Sequence, residues 1–93
     1  MTIYQSRSFA PKVKKLAKKE KETLDREVRR IADNLSIGEE KKGDLRGVCV
    51  HKFKLSAAPY LLAYPEVGED LELIMLGPHQ NYYRDLRQSL KNR

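Results

Sequence analysis

The chain of 93 residues reads as an α+β domain: a mostly antiparallel four-stranded sheet with a two-helix N-terminal hairpin and a C-terminal helix, in the order β-α-α-β-β-β-α. Three observations predict this. Apolar residues recur at helical spacing early in the chain, at Val13, Leu16 and Ala17, then at Leu24, Val28, Ile31, Ala32 and Leu35. Side chains then alternate with a period of two from Arg46 to Leu55. Two turn signals, Ser56–Pro59 and Pro65–Asp70, separate three strand-like runs, and connections this short join antiparallel neighbours.

Thr2 to Phe9 alternates Ile3, Gln5, Arg7 and Phe9 against Tyr4, Ser6 and Ser8, which predicts a first strand near a sheet edge. Ser8 and Pro11 signal a helix start. The stripe of Val13, Leu16 and Ala17 faces inward, and Lys12, Lys15, Lys18 and Lys19 take the opposite side. No residue from Lys18 to Thr23 is apolar, so the pattern predicts a joint near Glu22-Thr23, with both helices on one sheet face. Gly38 follows the second stripe as a helix stop, and Glu39–Asp44 reads as a polar connection. In the strand Arg46–Leu55, Val48, Val50, Lys52 and Lys54 share one face, and Cys49, His51, Phe53 and Leu55 share the other. Tyr60–Tyr64 is too apolar for an edge and reads as a central strand. Leu71–Leu76 forms the last strand, ended by Gly77-Pro78. Asn81 is the expected N-cap of a final helix carrying Tyr82, Tyr83, Leu86 and Leu90.

Length and composition bound the function. One domain, residues 1–93, is expected. Apolar residues make up 40 % and charged residues 34 %, which fits a folded core under a charged surface and not a disordered chain. The net charge is +6, and residues 1–43 hold 12 Lys+Arg against 7 Asp+Glu, so the excess lies in the first half. Such a surface favours polyanions: nucleic acid, a ribosome or an acidic protein. The single cysteine, Cys49, excludes an intramolecular disulfide and, flanked by valines, reads as a buried hydrophobe. One cysteine and two histidines do not fill a structural zinc site, and there is no P-loop, dinucleotide fingerprint or metalloprotease helix. The first ten residues hold no apolar signal core and no run reaches membrane-span length, so a cytoplasmic, membrane-free protein is expected.

Four residues carry the candidate chemistry. His79 follows a Gly-Pro turn at a strand end; an unperturbed imidazole titrates near ~6.5 and can give or take a proton at neutral pH, although a loop histidine also caps or packs. Tyr83 lies four residues on, on the same helical face, where it can stack on a base or pack against Leu86. Tyr82 points about 100° away, so one of the pair belongs to the core, and Tyr82 is the expected one. Lys52 and Lys54 project the same way, about 7 Å apart, a spacing that suits neighbouring phosphates or a solvated strand face. His51 points to the other face, where a backbone carbonyl is its expected partner. Lys15, Lys18 and Lys19 offer sequence-independent attraction to phosphates or form a merely solvated helix face, and Arg46 or Arg84 offers a bidentate contact.

Together these features resemble the RelE/ParE superfamily of bacterial type II toxins. The resemblance is carried by Leu45-Arg46-Gly47 leading to Lys52-Phe53-Lys54, by Tyr60-Leu61-Leu62-Ala63-Tyr64, and by Gly77-Pro78-His79-Gln80-Asn81-Tyr82-Tyr83-Arg84-Asp85-Leu86. It spans residues 2 to about 91 and is most specific in the last segment. It implies a RelE-like fold and, for the ribosome-dependent members, a metal-free and cofactor-free endoribonuclease that cleaves mRNA in the ribosomal A site. Lys52 and Lys54 match the strand lysines of RelE. His79 stands where RelE has an arginine, as in the YafQ-type and HigB-type branches, with Tyr83 as their following aromatic. Leu61 departs from a second RelE arginine. The resemblance also implies a cognate antitoxin. It leaves two alternatives open: a ParE-like inhibitor of DNA gyrase without nuclease activity, and a non-toxic basic RNA-binding domain.

Overall fold

The computed structural model describes residues 2–91. The elements are β1 (Ile3–Gln5), α1 (Phe9–Lys14), α2 (Lys18–Asp33), β2 (Glu39–Glu40), β3 (Val48–Leu55), β4 (Ala58–Pro65), β5 (Leu71–Leu73), β6 (Met75–Pro78) and α3 (Tyr82–Lys91), with 3-10 turns at Leu35–Ile37 and Gly43–Leu45. Strands β2, β3, β4 and β6 form an antiparallel sheet in that order, and β1 pairs in parallel with β5. The predicted α+β class holds. The predicted central strand is β4, whose Leu61, Leu62, Ala63 and Tyr64 are all 2 % exposed or less. A strand covered on both faces needs no polar alternation.

The two faces carry two cores. On one, α1 and α2 lay Phe9, Leu24, Val28 and Ile31 against Cys49, Phe53, Leu55, Leu62, Tyr64 and Leu76. On the other, α3 lays Tyr82 and Leu86 against Val48, Val50, Leu61, Ala63 and Ile74. Between β5 and β6 the chain makes a β-bulge. Met75 pairs with Ala63, and the Ile74 N–H donates to the same Ala63 carbonyl at 2.9 Å. Two residues thus oppose one, and Ile74 and Met75 both join the α3-side core while Leu73 and Leu76 face the other way.

Several expectations are corrected. The first strand stops at Gln5, and Phe9 begins α1 instead, fully buried. The helical joint lies at Lys15–Ala17, not at Glu22-Thr23: the Glu20 carboxylate accepts the Ala17 N–H at 2.8 Å and starts α2 at Lys18, ahead of Leu24 where the apolar pattern restarts. The polar connection Glu39–Asp44 contains β2, paired antiparallel with β3. The turn is shorter than Ser56–Pro59: Leu55 pairs with Ala58, leaving Ser56 and Ala57 as the whole loop, both at positive φ as a type I′ turn requires. Asn81 precedes α3 at φ 59, a left-handed turn residue and not an extended N-cap. His51 is paired with a carboxylate, not a backbone carbonyl: its Nε2 lies 2.7 Å from Glu27 Oε1, which also accepts from Arg30 at 2.9 Å.

Gly38 ends the 3-10 turn Leu35–Ile37 and not α2, which stops at Asp33, and it does so in extended backbone. Its N–H donates to the Tyr64 hydroxyl at 2.9 Å, and that hydroxyl donates to the Leu35 carbonyl at 2.7 Å. A Cβ on Gly38 would stand 2.5 Å from the same oxygen, so the glycine is required by space. Gly38→Ala is expected to cost about 1–3 kcal/mol in urea unfolding, through overpacking against a buried ring. Combined with Tyr64→Phe, the loss should be smaller than the sum of the two single losses; strict additivity would show that no clash exists.

Candidate active site

The α3-side face of the sheet is only half covered. Val48, Val50, Leu61 and Ala63 lie under Tyr82 and Leu86, but Lys52 and Lys54 of β3 are exposed. Strand parity explains both facts, since all four β3 residues project to the same side. Register then sets the neighbours. Lys52 pairs with Leu61 and Leu61 with Gly77, so one row crosses three strands. Two strand spacings put Lys52 and Gly77 about 10 Å apart at the backbone. Lys54 pairs with Pro59, one step nearer the sheet end where the chain leaves β6 at Pro78.

His79 follows that exit and is exposed. Its ring meets Tyr83 edge-on at 6.3 Å between centroids, and Tyr82 meets Tyr83 edge-on at 5.7 Å. Adjacent helical positions divide the tyrosines as expected. Tyr82 is 1 % exposed and donates to the Met75 carbonyl at 2.7 Å. Burial pushes its phenol well above the ordinary tyrosine range, so it stays a neutral donor. Tyr83 is half-buried and lies between His79 and Tyr82.

The residue that sequence reasoning missed is Lys41. Its ammonium lies 4.8 Å from the centre of the Tyr83 ring, within cation–π range, and 3.0 Å from Glu39. Burial lowers its pKa, but Glu39 and the Tyr83 hydroxyl raise it more, and the net effect is upward. Lys41 therefore stays protonated through neutral pH. The available signal was faint: Glu39 and Lys41 alternate with Glu40 just before the Gly43-Asp44 turn.

The remaining candidates separate. Arg84 is exposed beside Tyr83, with its guanidinium 3.5 Å from Asp85. Arg46 lies in the turn before β3, whose first residue, Val48, is four residues and so about 13 Å along the strand from Lys52. Lys15, Lys18 and Lys19 lie at the α1–α2 joint, and those helices cover the other face. Leu61 is 2 % exposed and forms an apolar floor where the resemblance implies an arginine.

The arrangement thus offers two or three cations, one imidazole and one phenol around an apolar floor. That set can bind a phosphate, stack a base and move a proton. Residues 3–87 match the family model of the ParE-like toxin of type II bacterial toxin–antitoxin systems. The chain belongs to that family and is a toxin of the RelE/ParE superfamily. Its fold is similar to a chain of the intact E. coli RelBE toxin–antitoxin complex, with a TM-score of 0.67 and 18 % identity over 85 % of this chain and 96 % of that one. It is also similar to the isolated E. coli RelE toxin, with a TM-score of 0.64 and 17 % identity over 94 % of this chain and 96 % of that one. No curated protein matches the chain in sequence. Among the described residues no helix is long and apolar enough to cross a membrane.

Because Lys52 and Lys54 touch solvent and Tyr82 fills a core, their substitutions should part company. Lys52→Ala with Lys54→Ala is expected to change folding stability by no more than about 0.5 kcal/mol. Tyr82→Ala should cost about 3–5 kcal/mol, a large share of the total for a domain this size. Chemical denaturation measures both, and a comparable loss in the lysine variant would make those lysines structural.

Proposed function

We propose that this toxin is a ribosome-dependent mRNA interferase, acting in the cytoplasm and held in check by a cognate antitoxin. The observation that carries the reading is the pairing of His79 with Tyr83 at the end of β6, across Leu61 from the exposed Lys52 and Lys54. RNA cleavage by its own 2′-hydroxyl needs a base for that proton, an acid for the leaving 5′-oxygen, and cations for the charge that gathers on phosphorus. In this reading the new 2′-O–P bond forms as the P–O5′ bond breaks. His79 gives its proton to O5′, leaving a cyclic phosphate and a free 5′-hydroxyl. Lys52 and Lys54 hold the phosphate oxygens, and one of them is the candidate acceptor of the 2′-hydroxyl proton. Tyr83, backed by Lys41, orients a base or the phosphate. No cofactor enters these steps.

The openness of the site supports a ribosome-held substrate. Lys52, Lys54 and His79 are all exposed on an open face, so the protein alone does little to align the 2′-oxygen, the phosphorus and O5′. Alignment of that kind is worth many orders of magnitude in rate, and an mRNA held by the ribosome supplies it. The antitoxin follows from membership in a two-component family, and the net charge of +6 suits an acidic segment that folds on binding.

A second reading has a specific observation behind it. Leu61 is apolar and buried where the nuclease pattern of RelE has an arginine, and the matching family model is ParE-like. In that reading the same face docks on DNA gyrase and does no chemistry.

Inducing the toxin in growing cells, with mRNA ends mapped and gyrase-linked DNA breaks assayed in parallel, separates the two. The interferase predicts in-frame cuts that fall by about 10²–10⁴ in His79→Ala, the usual worth of a general acid. Cuts at the wild-type rate in that variant would remove His79 from the mechanism. DNA breaks without mRNA cuts would establish the gyrase reading.

A further inference from the structure

Behind the Gly77-Pro78 turn, on the α1–α2 face of the sheet, lies a cleft of about 220 Å³ lined by Lys12, Lys15, Leu16, Glu20, Tyr60, Leu76, Gly77 and Pro78. That is several times the ~30 Å³ share of one water molecule. Its floor is apolar, and its rim holds two lysines and the half-buried ring of Tyr60. Glu20 is the one carboxylate in the lining, and it is engaged by the Ala17 N–H at 2.8 Å. Register ties the cleft to the candidate active site. Tyr60 pairs with Pro78, and His79 is the next residue, one ~3.8 Å Cα step away. The cleft and the imidazole therefore lie on opposite sides of the same turn.

We propose that this cleft is a second RNA subsite, taking one unpaired nucleotide with its base against Tyr60 and its phosphate between Lys12 and Lys15. The subsite rests on RNA being the ligand of this toxin. A strand whose reacting phosphate lies at Lys52, Lys54 and His79 crosses the end of β6 and delivers a neighbouring nucleotide to the cleft. An aromatic ring with flanking cations binds single strands with little sequence preference, since every base has a face to stack and every nucleotide a charge. The subsite gives a role to the cations of α1 and the joint, Lys12, Lys14 and Lys15, which have no acidic residue among them and lie on the face opposite the lysines of β3.

The probe is a fluorescein-labelled 2′-O-methyl RNA dodecamer, which cannot be cleaved, titrated by anisotropy at several salt concentrations. Lys12→Gln with Lys15→Gln should lower the slope of log affinity against log salt by about 1.4, two single-strand phosphate contacts at ~0.7 each. Tyr60→Leu should weaken binding by roughly 5- to 150-fold with the slope unchanged. Because Tyr60 also touches the core, photo-crosslinking of the wild-type protein to a 4-thiouridine version of the probe gives an independent measure, with the adduct expected on Tyr60. Unchanged affinity and slope in the lysine variant, or a crosslink confined to the Lys52 face, overturns the proposal. So does a lysine variant that keeps its RNA affinity but loses its antitoxin, which makes the cleft a protein-binding surface. Weakened probe binding in the cleft variants of a toxin that cuts no mRNA would instead retain the subsite and sink the nuclease.

Discussion

The bulge at Ile74-Met75 is the constraint on which the rest of the sheet depends. One extra residue opposite Ala63 changes the phase of the strand, so Leu71 and Leu73 face α2 before it while Met75 and Gly77 face α3 after it. An unbroken strand would alternate strictly and send Ile74 and Leu76 to the same side. The bulge also frees the Ile74 carbonyl, which accepts the hydroxyls of Ser6 and Ser8. Those bonds end β1 and turn the chain into α1, which brings Phe9 into the core. Downstream, the same phase puts Gly77 beneath Tyr82 and aims the exit toward His79. The N-terminal helix and the candidate site are therefore both positioned from one backbone irregularity.

The features legible in the sequence were those written in side-chain period. The Leu24, Val28, Ile31 stripe of α2 and the two-sided apolar run of β4 needed only spacing and composition, because burial on one face or two dictates them. The bulge was not legible, since Leu-Ile-Met-Leu is apolar at every position and hides a phase change. The α1–α2 joint was misplaced because its signal is a single Glu20 carboxylate on a backbone N–H, beneath a run of charged residues that look alike. β2 was lost because two residues are too few to show a period. Gly38 was read as a conformational glycine when the close approach of Tyr64, 26 residues away, is what requires it.

The site was legible to the same depth. Strand parity alone gave Lys52 and Lys54 one face, and helical geometry alone separated Tyr82 from Tyr83. Neither rule reaches across elements. Lys41 meets Tyr83 through the pairing of β2 with β3, a contact that no spacing within one element foretells. Whether His51 finds a carboxylate or a carbonyl is likewise a tertiary fact, decided by where α2 crosses β3.

Helix length explains why the site exists where it does. α3 has ten residues and spans about 15 Å, whereas the eight residues of β3 span about 26 Å. A helix this short cannot roof the whole face, so the far end of the sheet must meet water. Apolar residues there would leave a sticky edge; lysines at 52 and 54 keep it soluble, which by itself is a sufficient structural reason for them. What goes beyond that reason is the company they keep. Solubility does not call for a half-buried tyrosine with a cation over its face, nor for an imidazole set against that ring at the adjacent strand end. Beneath α2, by contrast, the buried polar groups are consumed internally: His51 and Arg30 each bond to Glu27, and Tyr64 bonds to the backbone. At the uncovered end of the opposite face Lys52, Lys54 and His79 are left facing outward, and a polyanion is the ligand that such a surface suits.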